Sequence, residues 1–181
     1  YSRFKFENKD VIVKTAAHPT LDAIAVSIES PLISEGKLSV RFAFPYGAPE
    51  MHAANWNADA SHQSTLKNLA ATAAQISRKL DADVYAVNLN WQGSAKIESE
   101  KVHNFLLKPQ GGKFEFVAHF TKDTAAKNSS NAAQTFTTSE NHWKTFWSTG
   151  GAVELNGSKD SRAKELERRI VLSQYLTAIQ C

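Results

Sequence analysis

Cysteine and methionine are nearly missing: the 181 residues hold one of each, Cys181 and Met51. A lone cysteine excludes an internal disulfide and leaves the redox compartment open. With Tyr1 first and Met51 the only methionine, the chain reads as processed, truncated or numbered from an internal point. No apolar run reaches the roughly 20 residues of a membrane-spanning helix. No signal peptide is present, and one already removed would leave no trace. An excess of one charge sign is lacking too, with 21 Lys and Arg against 18 Asp and Glu. The densest basic cluster, 164–169, is interleaved with Glu165 and Glu167, as on a solvated helix face, and there is no basic stripe among aromatics for nucleic acid.

Catalytic signatures are equally scarce. Glu98 and Glu100 share one face of a strand, but neighbours on one strand do not straddle a glycosidic bond, and Lys96 and Lys101 flank them as on a wet surface. Asp81 and Asp83 read as turn residues. His18, His52, His62, His103, His119 and His142 never take the two-His helical spacing of a zinc hydrolase, so no metal site is read, although a fold can gather distant histidines. Gly36-Lys37 lacks a surrounding phosphate loop, and no serine has nucleophile-elbow glycines. Two N-x-S/T matches, at Asn128 and Asn156, matter only in a eukaryotic secretory setting.

What the chain does hold is alternation, with the composition of an ordinary globular domain. Ile24, Val26 and Ile28 fall on one face of 23–29, and Leu38, Val40, Phe42 and Phe44 on one face of 37–44. Tyr85, Val87, Leu89 and Trp91 do the same over 84–91, as do Phe114, Phe116, Ala118 and Phe120 over 113–121. A hairpin is expected over 4–15 around an Asn8-Lys9-Asp10 turn, and a single strand over 96–109. Residues 65–80 are ambiguous: Leu66, Leu69, Ala70 and Ala73 fit a helix, whereas Ala74, Ile76 and Leu80 alternate, which favours a strand from about Ala73. The spacing predicts a mainly β protein with antiparallel strands over 1–122. A linker over 123–160 follows, carrying a short helix at 139–147 whose capping box is Thr137–Glu140.

Between strands, 45–64 breaks every period and brings Met51, His52 and Trp56 into a loop. Trp56 with Asn55, Asn57 and His52 offers a stacking face and amide hydrogen bonds, the chemistry of sugar recognition; the alternative is that Trp56 pins the loop to the sheet. The last helix, 161–181, starts clearly at Ser158 and Asp160, with Glu165 near its positive end, but carries no stop signal. Its apolar residues form two stripes, Ala163, Leu166 and Ile170 against Val171, Leu172, Tyr175, Leu176 and Ile179. One sheet cannot bury both, so the helix reads as the truncated start of a helical domain.

The run His142-Trp143-Lys144-Thr145-Phe146-Trp147, then Gly150-Gly151-Ala152-Val153-Glu154-Leu155, Ser158 to Ala163 and Glu165 to Thr177 resembles the junction in bacterial six-hairpin glycosidases. Those enzymes are broadly similar to glucoamylase-like and maltose-phosphorylase-like proteins, and join an N-terminal β-sandwich to an (α/α)6 barrel. The resemblance implies that the strands over 1–122 form an antiparallel two-sheet sandwich, a non-catalytic domain of a glycoside hydrolase acting on oligosaccharide or polysaccharide, periplasmic or secreted, with the catalytic carboxylates on a missing barrel. No catalytic residue is assigned here and no cofactor is expected. Expected partners are that barrel and carbohydrate, with self-association through the exposed C-terminal helix. A free-standing lectin-like sandwich and a small metal enzyme are the rival readings.

Overall fold

The computed structural model describes residues 1–125 and 130–180, so Asn128 of the first N-x-S/T match and Cys181 lie outside the described residues. The chain divides into two compact units, Tyr1–Ser139 and Glu140–Cys181. No helix among the described residues is long and apolar enough to cross a membrane.

The first unit is antiparallel β. Its strands are β1 (Ser2–Phe6), β2 (Lys9–Ala17), β3 (Ala23–Glu29), β4 (Val40–Ala43), β5 (Tyr46–Gly47) and β6 (Ala54–Asn55), then β7 (His62–Ala70), β8 (Ala73–Leu80), β9 (Asp83–Gln92), β10 (Ala95–Lys101), β11 (Asn104–Pro109) and β12 (Lys113–Thr121). Seven form one sheet in the order β1-β2-β3-β12-β9-β8-β7, three form a second in the order β10-β11-β4, and β5 pairs with β6 alone. Alternation selects the buried side: Ile76, Val87, Leu89, Phe114 and Phe116 of the large sheet share one core with Ile97, Phe105 and Leu107 of the small one. Phe42 meets Phe116 edge-on across that core, with ring centroids 5.8 Å apart. On the opposite face of the large sheet, Ala23, Ala25 and Val117 are covered by Ala132 and Phe136. The sheet ends at β1, which carries Arg3 and Lys5, and at β7, whose register slips between Asn68 and Ala70.

Several boundaries differ from expectation. The strand expected over 37–44 shrinks to β4, and Ser30 caps a one-turn helix α1 (Pro31–Ser34), its Oγ accepting from Leu32 N. Residues 62–80 are a β7–β8 hairpin, so the helical fit of Leu66 to Ala73 fails and the strand from Ala73 stands. The single strand expected over 96–109 is two, β10 and β11, turned at Val102-His103 with His103 at φ 58°. No Gly, Pro or Asn marks that turn from within. The first hairpin turns one to two residues early, at Glu7 and Asn8, both in the left-handed region (φ 48° and 60°) that a two-residue hairpin requires. Asn tolerates that region and Glu does not, so Glu7→Gly is expected to stabilise the protein by about 1 kcal/mol. The Glu7–Lys37 ion pair that it removes is surface-exposed, and Lys37 keeps Glu35. An unchanged or lower urea midpoint would refute this.

Helix α2 (Ala132–Thr149) begins seven residues before the expected helix. The capping box is Asn131–Gln134: Gln134 N donates to Asn131 Oδ1 (2.9 Å) and Asn131 N donates to Gln134 Oε1 (3.1 Å). Thr137 and Glu140 thus lie inside the helix and cap nothing. In the second unit, α2 ends at Gly150, where a Cβ would stand 2.8 Å from the Phe146 carbonyl oxygen. Helix α3 (Ala163–Ala178) follows, its start held by Asp160, whose Oδ1 accepts from Arg162 N (2.9 Å). Glu165 bonds Arg168 and Arg169, and these guanidinium groups pull its carboxyl down to about 2. Trp143 gathers Phe146, Trp147 and Tyr175 around it. Leu166, Leu172, Leu176 and Ile179 stay at least two-fifths exposed.

Candidate functional site

The loop that carries the sugar-recognition candidates is a small ordered hairpin. β5 and β6 pair Tyr46 with Asn55 and Gly47 with Ala54, and Ala53 N closes the tip by donating to Glu50 O (2.9 Å). His52 lies at this tip and is exposed, beside Met51. Asn55 ends β6 and Trp56 and Asn57 follow it at the base, where Asn55 Oδ1 accepts from Asn57 N (3.0 Å). Trp56 is 59% exposed, so it does not pin the loop to the sheet. Among the described residues no ring contact joins His52 to Trp56, while a hydrogen bond joins Asn55 to Asn57 on either side of Trp56.

What pins the loop is a buried polar cluster centred on Arg78. Strand parity explains its position: Arg78 follows Ala74 and Ile76 on the inward side of β8, opposite Ser64 of β7 and Tyr85 of β9. Only 1% exposed, its guanidinium donates from Nη1 to Ser64 Oγ (2.5 Å) and His62 Nδ1 (2.7 Å), from Nη2 to the Pro45 carbonyl (3.1 Å) and from Nε to Tyr85 Oη (3.3 Å). Its carbon lies 4.9 Å from the Phe44 ring centroid. No carboxylate bonds it among the described residues, so neutral acceptors and an aromatic face satisfy a buried cation.

The hydrogen bonds fix the proton positions. A guanidinium only donates, so His62 Nδ1 accepts and its proton sits on Nε2, a buried atom without a hydrogen-bond partner among the described residues. His103 Nε2 donates to the Asp59 main-chain carbonyl at 2.9 Å, and its Nδ1 meets the Ser64 hydroxyl at 2.6 Å. Burial first, then the neighbouring His103 and Arg78, hold His62 below its ordinary value of 6.5, against a smaller opposing pull from Asp59. The cluster grips the loop at both ends, at Pro45 through Arg78 and at Asp59 through His103. Nearby, Tyr46 Oη donates to Asp81, and this bond raises the phenol's pKa.

Asp59, His62 and His103 place possible ligand atoms within 4.8 Å of one another. Their arrangement does not make a metal centre. The imidazoles stack at 3.6 Å with a 22° interplanar angle, and a nitrogen lone pair lies in its ring plane. Planes so nearly parallel do not converge at a metal–nitrogen distance of about 2 Å. Ser64 and His103 resemble a nucleophile and base, yet the hydroxyl already sits between Arg78 and His103.

No protein-family model matches the chain, and no curated protein matches its sequence. Sequence reading reaches Trp56 and its neighbours but misses Arg78, His62, Ser64 and His103, although the parity of Ala74, Ile76 and Arg78 already puts a cation on the buried side.

Proposed function

We propose that this chain is the non-catalytic N-terminal β-sandwich domain and helical junction of a glycoside hydrolase of the six-hairpin type, acting on an oligosaccharide or polysaccharide. In this reading the two sheets are the layers of the sandwich, α3 leads to an (α/α)6 barrel, and the loop 45–64 shapes that barrel's substrate cleft. The supporting observation is the exposed Trp56 on a loop clamped at both ends by the Arg78 cluster. A rigidly held, solvent-facing indole flanked by amides suits the apolar face and hydroxyl rim of a sugar. The apolar side chains left exposed along α3 agree with a helical neighbour.

Trp56→Ala is expected to weaken oligosaccharide binding roughly tenfold, the loss of about 1.4 kcal/mol of stacking, without moving the thermal midpoint. Titration calorimetry of the full-length gene product with a panel of malto-, cello- and xylo-oligosaccharides measures it. Equal affinities for wild type and variant would remove the loop from the substrate site. A gene product that neither binds nor cleaves any glycan would overturn the whole reading.

A further inference from the structure

The inner face of the large sheet extends past its partner. Next to the Arg78 cluster, a cleft of about 380 Å³ opens over the ends of β8, β9 and β12. Register places Leu80, Tyr85 and Phe120 on the same inward side as the core residues Ile76, Val87 and Ala118, yet here they are only partly covered. Phe120 is 39% exposed, and Val84 at the rim 47%. Asp22, Asp83 and Lys122 line the same cleft, and neither carboxylate has a hydrogen bond or ion pair with any described residue. Tyr85 Oη accepts from Arg78, so its own proton remains to be donated.

We infer that this cleft is a second binding site, for one or two rings of a neutral saccharide. The inference rests on the carbohydrate reading above and names a separate place for it. The lining distinguishes among occupants. A purely apolar partner would desolvate the Asp22 and Asp83 carboxylates and the Lys122 ammonium, none of them ion-paired among the described residues, at a substantial cost. A sugar stacks its C–H face on Phe120 and Tyr85, while its hydroxyls donate to Asp22 and Asp83 and accept from Tyr85 or Thr121. The volume belongs to the small-molecule range, not to a protein interface.

The test is a heteronuclear NMR titration of the chain with di- to tetrasaccharides of the malto, cello and xylo series, using wild type, Asp22→Asn, Asp83→Asn, Phe120→Ala and Trp56→Ala. Saturable shifts at 83–85 and 120–122 are expected, weakened about fivefold by each Asp→Asn change and about tenfold by Phe120→Ala, and unaffected by Trp56→Ala. The Asp→Asn variants lie on an exposed rim and keep the fold if Phe120→Ala does not. Binding that depends on Trp56 but not on Asp22 or Asp83 would sink the cleft and leave the domain reading standing. Shifts at the cleft with an apolar peptide and none with any saccharide would overturn the sugar assignment, and no saccharide binding anywhere would overturn both.

Discussion

Arg78→Ala is expected to lower the stability of the first unit by roughly 3–5 kcal/mol, a large share of the 5–15 kcal/mol typical of a domain. The loss has two sources. Truncation empties a fully buried volume beside Phe44 and Tyr85, and it strips hydrogen bonds from the part-buried Pro45 carbonyl and from His62 Nδ1, an acceptor on a buried side chain. Arg78→Lys should recover little, because one ammonium cannot span acceptors on three sides that a planar fork reaches. Arg78→Met restores volume but no donors, and separates the two sources. Urea denaturation gives the totals, and limited proteolysis within 45–61 gives the local effect. The loop should become cleavable under conditions where the strands remain folded. A variant within 1 kcal/mol of wild type, with an uncut loop, would show that the cluster does not hold the loop.

Acidification should act on the same place. His62 is held neutral, because its Nδ1 must accept from Arg78, and its folded pKa is depressed below 6.5 by burial and by the neighbouring His103 and Arg78. The unfolded chain therefore binds the proton first. This contribution to stability is complete above about 6.5 and is lost as the pH falls from there through the lower folded value, with a limiting slope of about 1.4 kcal/mol per pH unit for one group. Asp59 is the carboxylate that opposes the shift, Tyr46 and His103 lie against the His62 ring, and Tyr85 and Ser64 bond the Arg78 that it faces. His62→Asn keeps an acceptor towards Arg78 but cannot titrate, so its stability should fall less steeply between pH 7 and pH 5. Parallel urea titrations across that range measure the difference; equal slopes would assign the acid sensitivity elsewhere.

The elements that can be read from the sequence are those whose large apolar residues recur at every second position. β3, β9 and β12 do so, and each occupies the interior of the large sheet, although β3 and β12 also bury small residues on the other face against α2. Ambiguity enters where side chains are small or turns lack turn residues. The β7–β8 hairpin is rich in alanine, which suits a helix as well as a strand, and only cross-strand pairing decides it. The Val102-His103 turn is imposed from outside, by the bonds of His103 to Ser64 and Asp59. The same residues explain why the site is half legible. Trp56 announces itself as a large aromatic in a loop without period, whereas the Arg78 network draws on five separate segments. α2 shows the opposite case, in which a good local signal sits at the wrong place: Thr137–Glu140 has capping-box spacing, but Asn131–Gln134 forms the box because Ala132 and Phe136 have the β3–β12 surface to cover.

The two edges of the large sheet bear on how this chain meets anything else. A free edge strand is an open row of hydrogen-bonding groups that invites another chain to extend the sheet. Here one edge carries Arg3 and Lys5 along β1, and the other loses its register near the end of β7. Charge at one end and a bulge at the other discourage strand addition and fibre growth. In the proposed reading, recognition then falls to side-chain surfaces, the Trp56 loop, the cleft over Phe120 and the apolar residues of α3, more than to the edges of the large sheet.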